Sequence, residues 1–189
     1  NVPELVPYLA FVLFKIPLPL TVIQILAVDL GTDLVPALGL GAEKPGPKAM
    51  LLPSRPRTER LLNWPLIARA YLWLGPMQAA AAMAAFFLVL RQGGWRYGET
   101  LTANAPLYLQ ATTACLTAII VMQVANVFLC RSRRESVFRL DLFSNPVIWL
   151  GLGVELSLIL AIDYTPWGNA VFGTAPIPVT VWLFVLPFA

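Results

Sequence analysis

Three carboxylates interrupt the apolar stretches near the start of the chain. Asp29 and Asp33 lie four residues apart within VIQILAVDLGTDLVPALGL (residues 22–40), so on an α-helix they share one face. Glu4 lies in the apolar stretch before it. A carboxylate at bilayer depth costs about 3 kcal/mol or more unless a cation, a proton or a partner compensates it. These positions are therefore candidates for binding a positive charge.

Prolines break the helices that carry these carboxylates. Pro36 lacks an N–H and clashes with the carbonyl of Thr32, which is then free to bind something else. Pro3 and Pro7 have the same effect on either side of Glu4. Carboxylates, hydroxyls and freed carbonyls are the ligands of hard cations, and transporters place such sites on broken helices. Two antiparallel segments are predicted to form a cation-binding cage from Asn1, Glu4, Asp29, Thr32 and Asp33.

The composition indicates a membrane protein. Of its 189 residues 58% are hydrophobic and only 12% are charged, whereas soluble domains carry roughly 25% charged residues. The predicted fold is an all-α, polytopic bundle of about six segments with proline-broken helices at the ion site. The first and last segments look like truncated helices. The segments cover residues 2–16, 18–40, 64–90, 107–129, 146–164 and 177–189.

The basic residues predict the orientation of the bundle. Ten of the 13 lysines and arginines lie in or beside the connections 41–63 and 130–145, and three lie on the opposite side. By the positive-inside rule both connections are cytoplasmic. Because these basic runs border apolar spans, they predict contact with the lipid bilayer and no nucleic-acid partner.

Further polar residues lie within the later segments. Gln123 and Asn126 are three residues apart on the fourth segment and could face the same cage. Gln78 and Glu155 lie in the third and fifth segments, where an ion site and hydrogen bonds between helices are about equally favoured. Asp163 lies near a helix end and is predicted at the membrane interface.

Four short motifs resemble P-type ATPases of the calcium-pump and sodium/potassium-pump class. VDLGTDLVPA (28–37) resembles their sixth transmembrane helix, and NVPE (1–4) resembles the matching part of the fifth. KIPLPL (15–20) is similar to the outer turn between them, and CRSRRESVF (130–138) to the cytoplasmic turn after the eighth helix. The resemblance covers essentially the whole chain and implies helices five, truncated, to ten, also truncated.

The resemblance implies a cation-binding set. Asp29 and Gln123 agree with the sodium/potassium pumps. Asn126 stands where those pumps carry an aspartate linked to a third sodium site, whereas Glu155 keeps the companion glutamate. The transported ion is then sodium, potassium or calcium. The positions matching the family's cation ligands are Asn1, Glu4, Thr32 and Asp33, with Asn126 and Glu155 as additional candidates.

The resemblance also implies an ATP-dependent cation translocase. ATP and magnesium would bind in catalytic domains of the parent chain, because the sequence contains no Asp-Lys-Thr-Gly motif, and this fragment is expected to be inactive alone. Those domains and the N-terminal helices are its expected partners. The short connections resemble bacterial members, which implies a bacterial plasma membrane. Alternatives are a secondary cation/proton antiporter or channel subunit, and a non-transporting anchor or assembly subunit.

Overall fold

The computed structural model describes residues 2–43, 62–131 and 143–188. Asn1, the larger part of connection 41–63 and most of connection 130–145 lie outside the described residues. Within the described ranges the secondary structure is helical, which confirms the all-α prediction. The helices are α1 (Val2–Phe14), α2 (Val22–Leu26), α3 (Leu34–Gly41), α4 (Trp64–Ala68), α5 (Gly75–Gln92), α6 (Pro106–Cys130), α7 (Pro146–Tyr164), α8 (Pro166–Phe172) and α9 (Val179–Val185).

Four continuous helical stretches are long and apolar enough to cross a membrane. They are Val22–Gly41, Trp64–Gln92, Pro106–Cys130 and Pro146–Tyr164. Large apolar side chains on the outside of the bundle stay exposed, such as Leu13 and Leu30, each 69% exposed. Extended apolar surface of this kind is typical of a protein that faces lipid. The predicted membrane helix bundle is therefore confirmed.

The centre of the bundle is the contact between α5 and α6. All ten residues from 111 to 120 on α6 are buried. They pack against a face of α5 that contains Ala82, Ala85 and Phe86, each 0% exposed. Alanines let two helix backbones approach closely, which is how membrane helices associate without a hydrophobic driving force. α6 is thus the central helix, and it contacts α3, α5, α7 and α9.

Two helix starts follow directly from the sequence. The Asn63 side chain accepts a hydrogen bond from the Leu66 N–H at 3.1 Å, and the Asn145 side chain accepts one from the Val147 N–H at 3.1 Å. Each cap is followed within two residues by a proline in the first turn, where no N–H is needed. These two caps fix where α4 and α7 begin.

Two π-helical segments interrupt the membrane stretches Val22–Gly41 and Trp64–Gln92. The first π segment covers Ala27–Thr32 between α2 and α3, and the second π segment covers Arg69–Leu74 between α4 and α5. In the first, the Asp33 N–H donates to the Val28 carbonyl at 3.0 Å, a bond that spans five residues. The break is therefore a widened turn that precedes the proline, and Pro36 itself lies inside α3.

The prolines explain where the two wide turns form. A proline cannot donate to the carbonyl four residues before it. Pro36 leaves the carbonyl of Thr32 without its α-helical donor, and Pro76 does the same to Leu72. Both carbonyls lie in a π segment, so each helix widens one turn ahead of its proline.

A salt bridge and neighbouring hydrogen bonds link the end of α3 to the end of α6 and the start of α7. Arg131 donates two hydrogen bonds to the Glu43 carboxylate, at 2.9 and 3.2 Å. The Asn145 amide donates to Glu43 and to the Gly39 carbonyl, both at 2.9 Å. The bonds from Arg131, helped by Asn145, hold the pKa of Glu43 below its ordinary value of 4.5, although burial acts in the opposite direction. The charged form of Glu43 is thus the one that stabilises this junction.

Glu43→Gln is expected to lower the stability of the intact protein by about 1 kcal/mol at neutral pH, the upper end for a partly exposed pair. Because the folded-state pKa is lowered, the stabilisation is complete above pH 4.5 and is lost as the pH falls through the lowered value. Thermal unfolding in detergent, compared with the wild type at pH 7 and in acid, checks this. The prediction is wrong if the difference between the two proteins stays the same in acid.

Candidate functional site

A polar cavity of about 250 Å³ lies between α1, α3, α5, α6 and α7. We call it the carboxylate cavity. Three carboxylates and three amides line it, and Pro3, Pro36 and Val127 contribute apolar wall. Its polar side chains are those of Glu4, Asp33, Gln78, Gln123, Asn126 and Glu155.

The α1 wall of the cavity carries Glu4. Its side chain is only 6% exposed, and it lies between the buried residues Pro3 and Pro7. Because α1 packs against α5, Glu4 points to the inside of the bundle, whereas Leu5 and Leu9 are exposed. The helix thus turns one carboxylate inward and its leucines toward lipid.

The first π segment and the residue after it place Asp29 and Asp33 in different surroundings. Asp33 lines the carboxylate cavity, whereas Asp29 is half-buried and does not line it. Thr32 is fully buried, and its hydroxyl donates to the Val28 carbonyl at 3.0 Å. The four-residue spacing assumed an α-helix, whereas Asp29 and Thr32 lie in a π segment, whose turns hold more residues. Whether Asp29 and Thr32 act as ligands stays a prediction.

The α6 and α7 walls carry polar atoms without partners. Glu155 is 1% exposed, and neither of its carboxylate oxygens has a hydrogen-bond partner in the structure. The side-chain oxygen of Gln123 is also buried and unpartnered. Leaving such atoms unpaired costs about 1–3 kcal/mol each, and more for a charge. Buried acceptors that face a cavity are expected where a positively charged ligand completes their coordination.

The carboxylates surround the cavity without forming a compact cluster. Across residues 2–43, 62–131 and 143–188, no three Asp, Glu or Cys side chains are close enough to hold a metal ion by themselves. A cation bound here would need amide or carbonyl oxygens as well as carboxylates. Oxygen donors of these kinds are the ligands of hard cations.

Asp163 is a buried carboxylate whose position the sequence did not reveal. It is 0% exposed, although it lies one residue before the end of α7, and its predicted placement at the membrane interface stays a prediction. One of its oxygens accepts a hydrogen bond from the Thr117 hydroxyl at 2.8 Å, and the other has no partner in the structure. The chain after α7 folds back over it, since the Thr174 hydroxyl donates to the Ile162 carbonyl at 2.6 Å. The signal for this burial that the sequence offered was that Asp163 lies eight residues after Glu155, which is also buried.

A bundle of membrane-length helices around a cavity of carboxylates and amides is the membrane domain expected of a cation transporter. Comparison with known protein families shows which class of cation transporter this chain belongs to. The family described as "Cation transporting ATPase, C-terminus" matches residues 17–189. The chain therefore belongs to this family, which confirms the P-type ATPase resemblance.

Several curated relatives are sodium/potassium-transporting ATPase alpha subunits. The rat alpha-4 subunit is 32% identical and the human alpha-4 subunit 33% identical, each over 214 residues. The alpha subunit of Hydra vulgaris is 35% identical over 214 residues. Each alignment covers 100% of this chain but only 21% of the relative, so the chain spans about a fifth of their length. These relatives are animal proteins and support neither calcium as cargo nor a bacterial source.

Proposed function

We propose that this chain is the membrane part of an ATP-driven cation pump and that the carboxylate cavity binds the ion during transport. The observation that carries the proposal is the buried Glu155 carboxylate, unpartnered in the structure and facing the same cavity as Glu4 and Asp33. If the Glu155 carboxylate had only a structural role, another group of the protein would be expected to form hydrogen bonds with it. An unpaired one fits a site that is alternately filled and emptied.

The ion is proposed to be sodium or potassium. The relatives named above transport both ions, as their names state. In this chain Glu4, Asp33 and Glu155 contribute carboxyl groups from three different helices, and Gln123 and Asn126 add amide oxygens. Mixed carboxylate and amide oxygens can replace the hydration shell of a monovalent ion.

Three further residues are proposed to complete the ligand set. Asn1 precedes Glu4 by three residues, a spacing that places both on one face of a helix. Asp29 and Thr32 lie in the first π segment, next to Asp33. Alternating access is expected to change which of these oxygens reach the ion, since two conformations must differ in their affinity for it. The energy source is proposed to be ATP hydrolysis in catalytic domains of the parent chain.

Ion-stimulated ATPase activity of the intact parent protein tests this function. Activity should be measured across sodium, potassium, calcium, magnesium and protons, together with formation of an acid-stable phosphoenzyme. We expect sodium or potassium to stimulate turnover, alone or together. Ion flux driven by a proton gradient without ATP would instead assign the chain to a secondary antiporter. Unchanged transport after joint neutralisation of Glu4, Asp33 and Glu155 would indicate an anchoring role.

A further inference from the structure

A second cavity, of about 440 Å³, opens between α1, the second π segment and the end of α6. We call it the Arg69 cleft. Its walls are mostly apolar, and among the residues that the structure describes Arg69 is the one charged residue that lines it. The side chains that matter for the argument are Val2, Leu66, Arg69, Ala70, Tyr71 and Leu74.

Arg69 has unused hydrogen-bonding capacity toward this cleft. One guanidinium nitrogen donates to the Leu129 carbonyl at 3.4 Å, and Arg69 forms no ion pair within the part of the chain that the structure describes. A guanidinium carries five N–H donors and no acceptor, so most of its donors are still available. A planar, permanently charged group of this kind is suited to phosphate. The Arg69 guanidinium is therefore expected to bind an anionic group.

The position of Arg69 along its helix places it at the level of lipid headgroups. The stretch Trp64–Gln92 has 29 residues, whereas about 20 cross the hydrocarbon core. Arg69 is five residues, or about 7.5 Å, from the start of this stretch. Trp64 and Tyr71, which are 72% and 62% exposed, are aromatic residues of the kind found at membrane interfaces. The positive-inside rule predicts that this end is cytoplasmic.

We propose that the Arg69 cleft binds one anionic phospholipid. Its phosphate would lie at the Arg69 guanidinium, and an acyl chain would lie along Val2, Leu66 and Leu74. Basic pockets between transmembrane helices on the cytoplasmic side are typical sites for anionic headgroups. The combination of one cation, aromatic neighbours and apolar walls matches a phospholipid from its headgroup to its tail.

The cleft adjoins the carboxylate cavity, which gives the lipid a second effect. Pro3, Gln78, Asn126 and Cys130 line both spaces. A lipid in the cleft therefore covers one side of the cation site, and removing it should change turnover. This second effect rests on the proposed function, whereas lipid binding itself does not.

Lipid retention by the intact parent protein tests the proposal independently of activity. After delipidation, the protein is offered phosphatidylglycerol or phosphatidylcholine, and the lipid retained is measured by native mass spectrometry. Arg69→Gln is expected to weaken phosphatidylglycerol binding about fivefold, the contribution of one arginine near a membrane surface. Arg69→Lys should keep part of it. Arg96→Gln, at an exposed arginine in the loop at the opposite end of α5, is the matched control and should bind as the wild type does.

A second variant separates the charge from the shape of the cleft. Ala70→Trp keeps Arg69 but fills the space beside it, so retained phosphatidylglycerol should fall here too. Thermal unfolding verifies that each variant is folded. Equal retention by Arg69→Gln and Arg96→Gln, or equal retention of the two lipids by the wild type, overturns the proposal. So does a structure of the intact protein with another segment of the parent chain in the cleft.

Discussion

Asp33→Ala in the intact pump is expected to abolish cation-dependent phosphorylation at ordinary ion concentrations. Asp33 joins the first π segment to α3 and is the carboxylate of that broken helix that lines the carboxylate cavity. Removing it takes away one of the three carboxyl groups around the site. We expect the apparent cation affinity to fall at least about 100-fold, which corresponds to ~2.7 kcal/mol. Phosphoenzyme formation titrated with sodium and with potassium measures the effect.

The control for this experiment is a carboxylate far from the cavity. Glu99→Gln changes an exposed glutamate in the loop after α5 and should leave the cation dependence unchanged. Asp33→Asn removes the charge with little change in volume and is expected to behave like Asp33→Ala. If phosphorylation of the Asp33 variants keeps the cation dependence of the wild type, the assignment of the cavity as the ion site is wrong.

Gly151→Ala is expected to disturb the site from a distance, because α7 meets α3 backbone to backbone at this residue. An added Cβ at Gly151 would lie 2.9 Å from the Pro36 nitrogen and 3.1 Å from the Pro36 Cα. Neither atom belongs to a flexible side chain, so one helix must move. Overpacking of this kind costs about 1–3 kcal/mol. Because Pro36 is three residues after Asp33, we expect a lower cation affinity as well as a lower unfolding temperature.

Gly153 provides a matched control in the same helix. A Cβ at Gly153 meets nothing within 4 Å, so Gly153→Ala introduces the same methyl group without a clash. Thermal unfolding and cation titration of both variants should separate them clearly. Equal behaviour of the two would show that α3 and α7 do not make the close contact described here.

The sequence was sufficient for the features that depend on local chemistry. The starts of α4 and α7 at Asn63 and Asn145 are features of this kind, since a cap and the following proline act within one turn. Membrane-length apolar stretches are equally local properties. The sequence also pointed to Glu4 and Asp33 as inward-facing carboxylates, because a charge within a lipid-facing stretch is costly. Both line the cavity in the structure.

Features that depend on tertiary packing or on a local change of helix type could not be predicted. The π turn that contains Asp29 and Thr32 is a change of helix type, which residue spacing alone does not show. The burial of Asp163 arises from the chain after α7, which folds back through Thr174. The contact between Gly151 and Pro36 requires the relative placement of two helices. Each of these depends on residues distant in sequence or on a departure from ideal α-helical geometry.

The widened turn around Asp29 holds one residue more than an α-helical turn. If this extra residue were passed to the next turn, one hydrogen bond would be exchanged for another while the rest of the span stayed helical. Each single-residue step rotates the side chains it passes by about 100°, the angle between successive residues of an α-helix. Asp29 lies within Ala27–Thr32, so a short migration would turn its carboxylate by a large angle while the ends of the span stay in place.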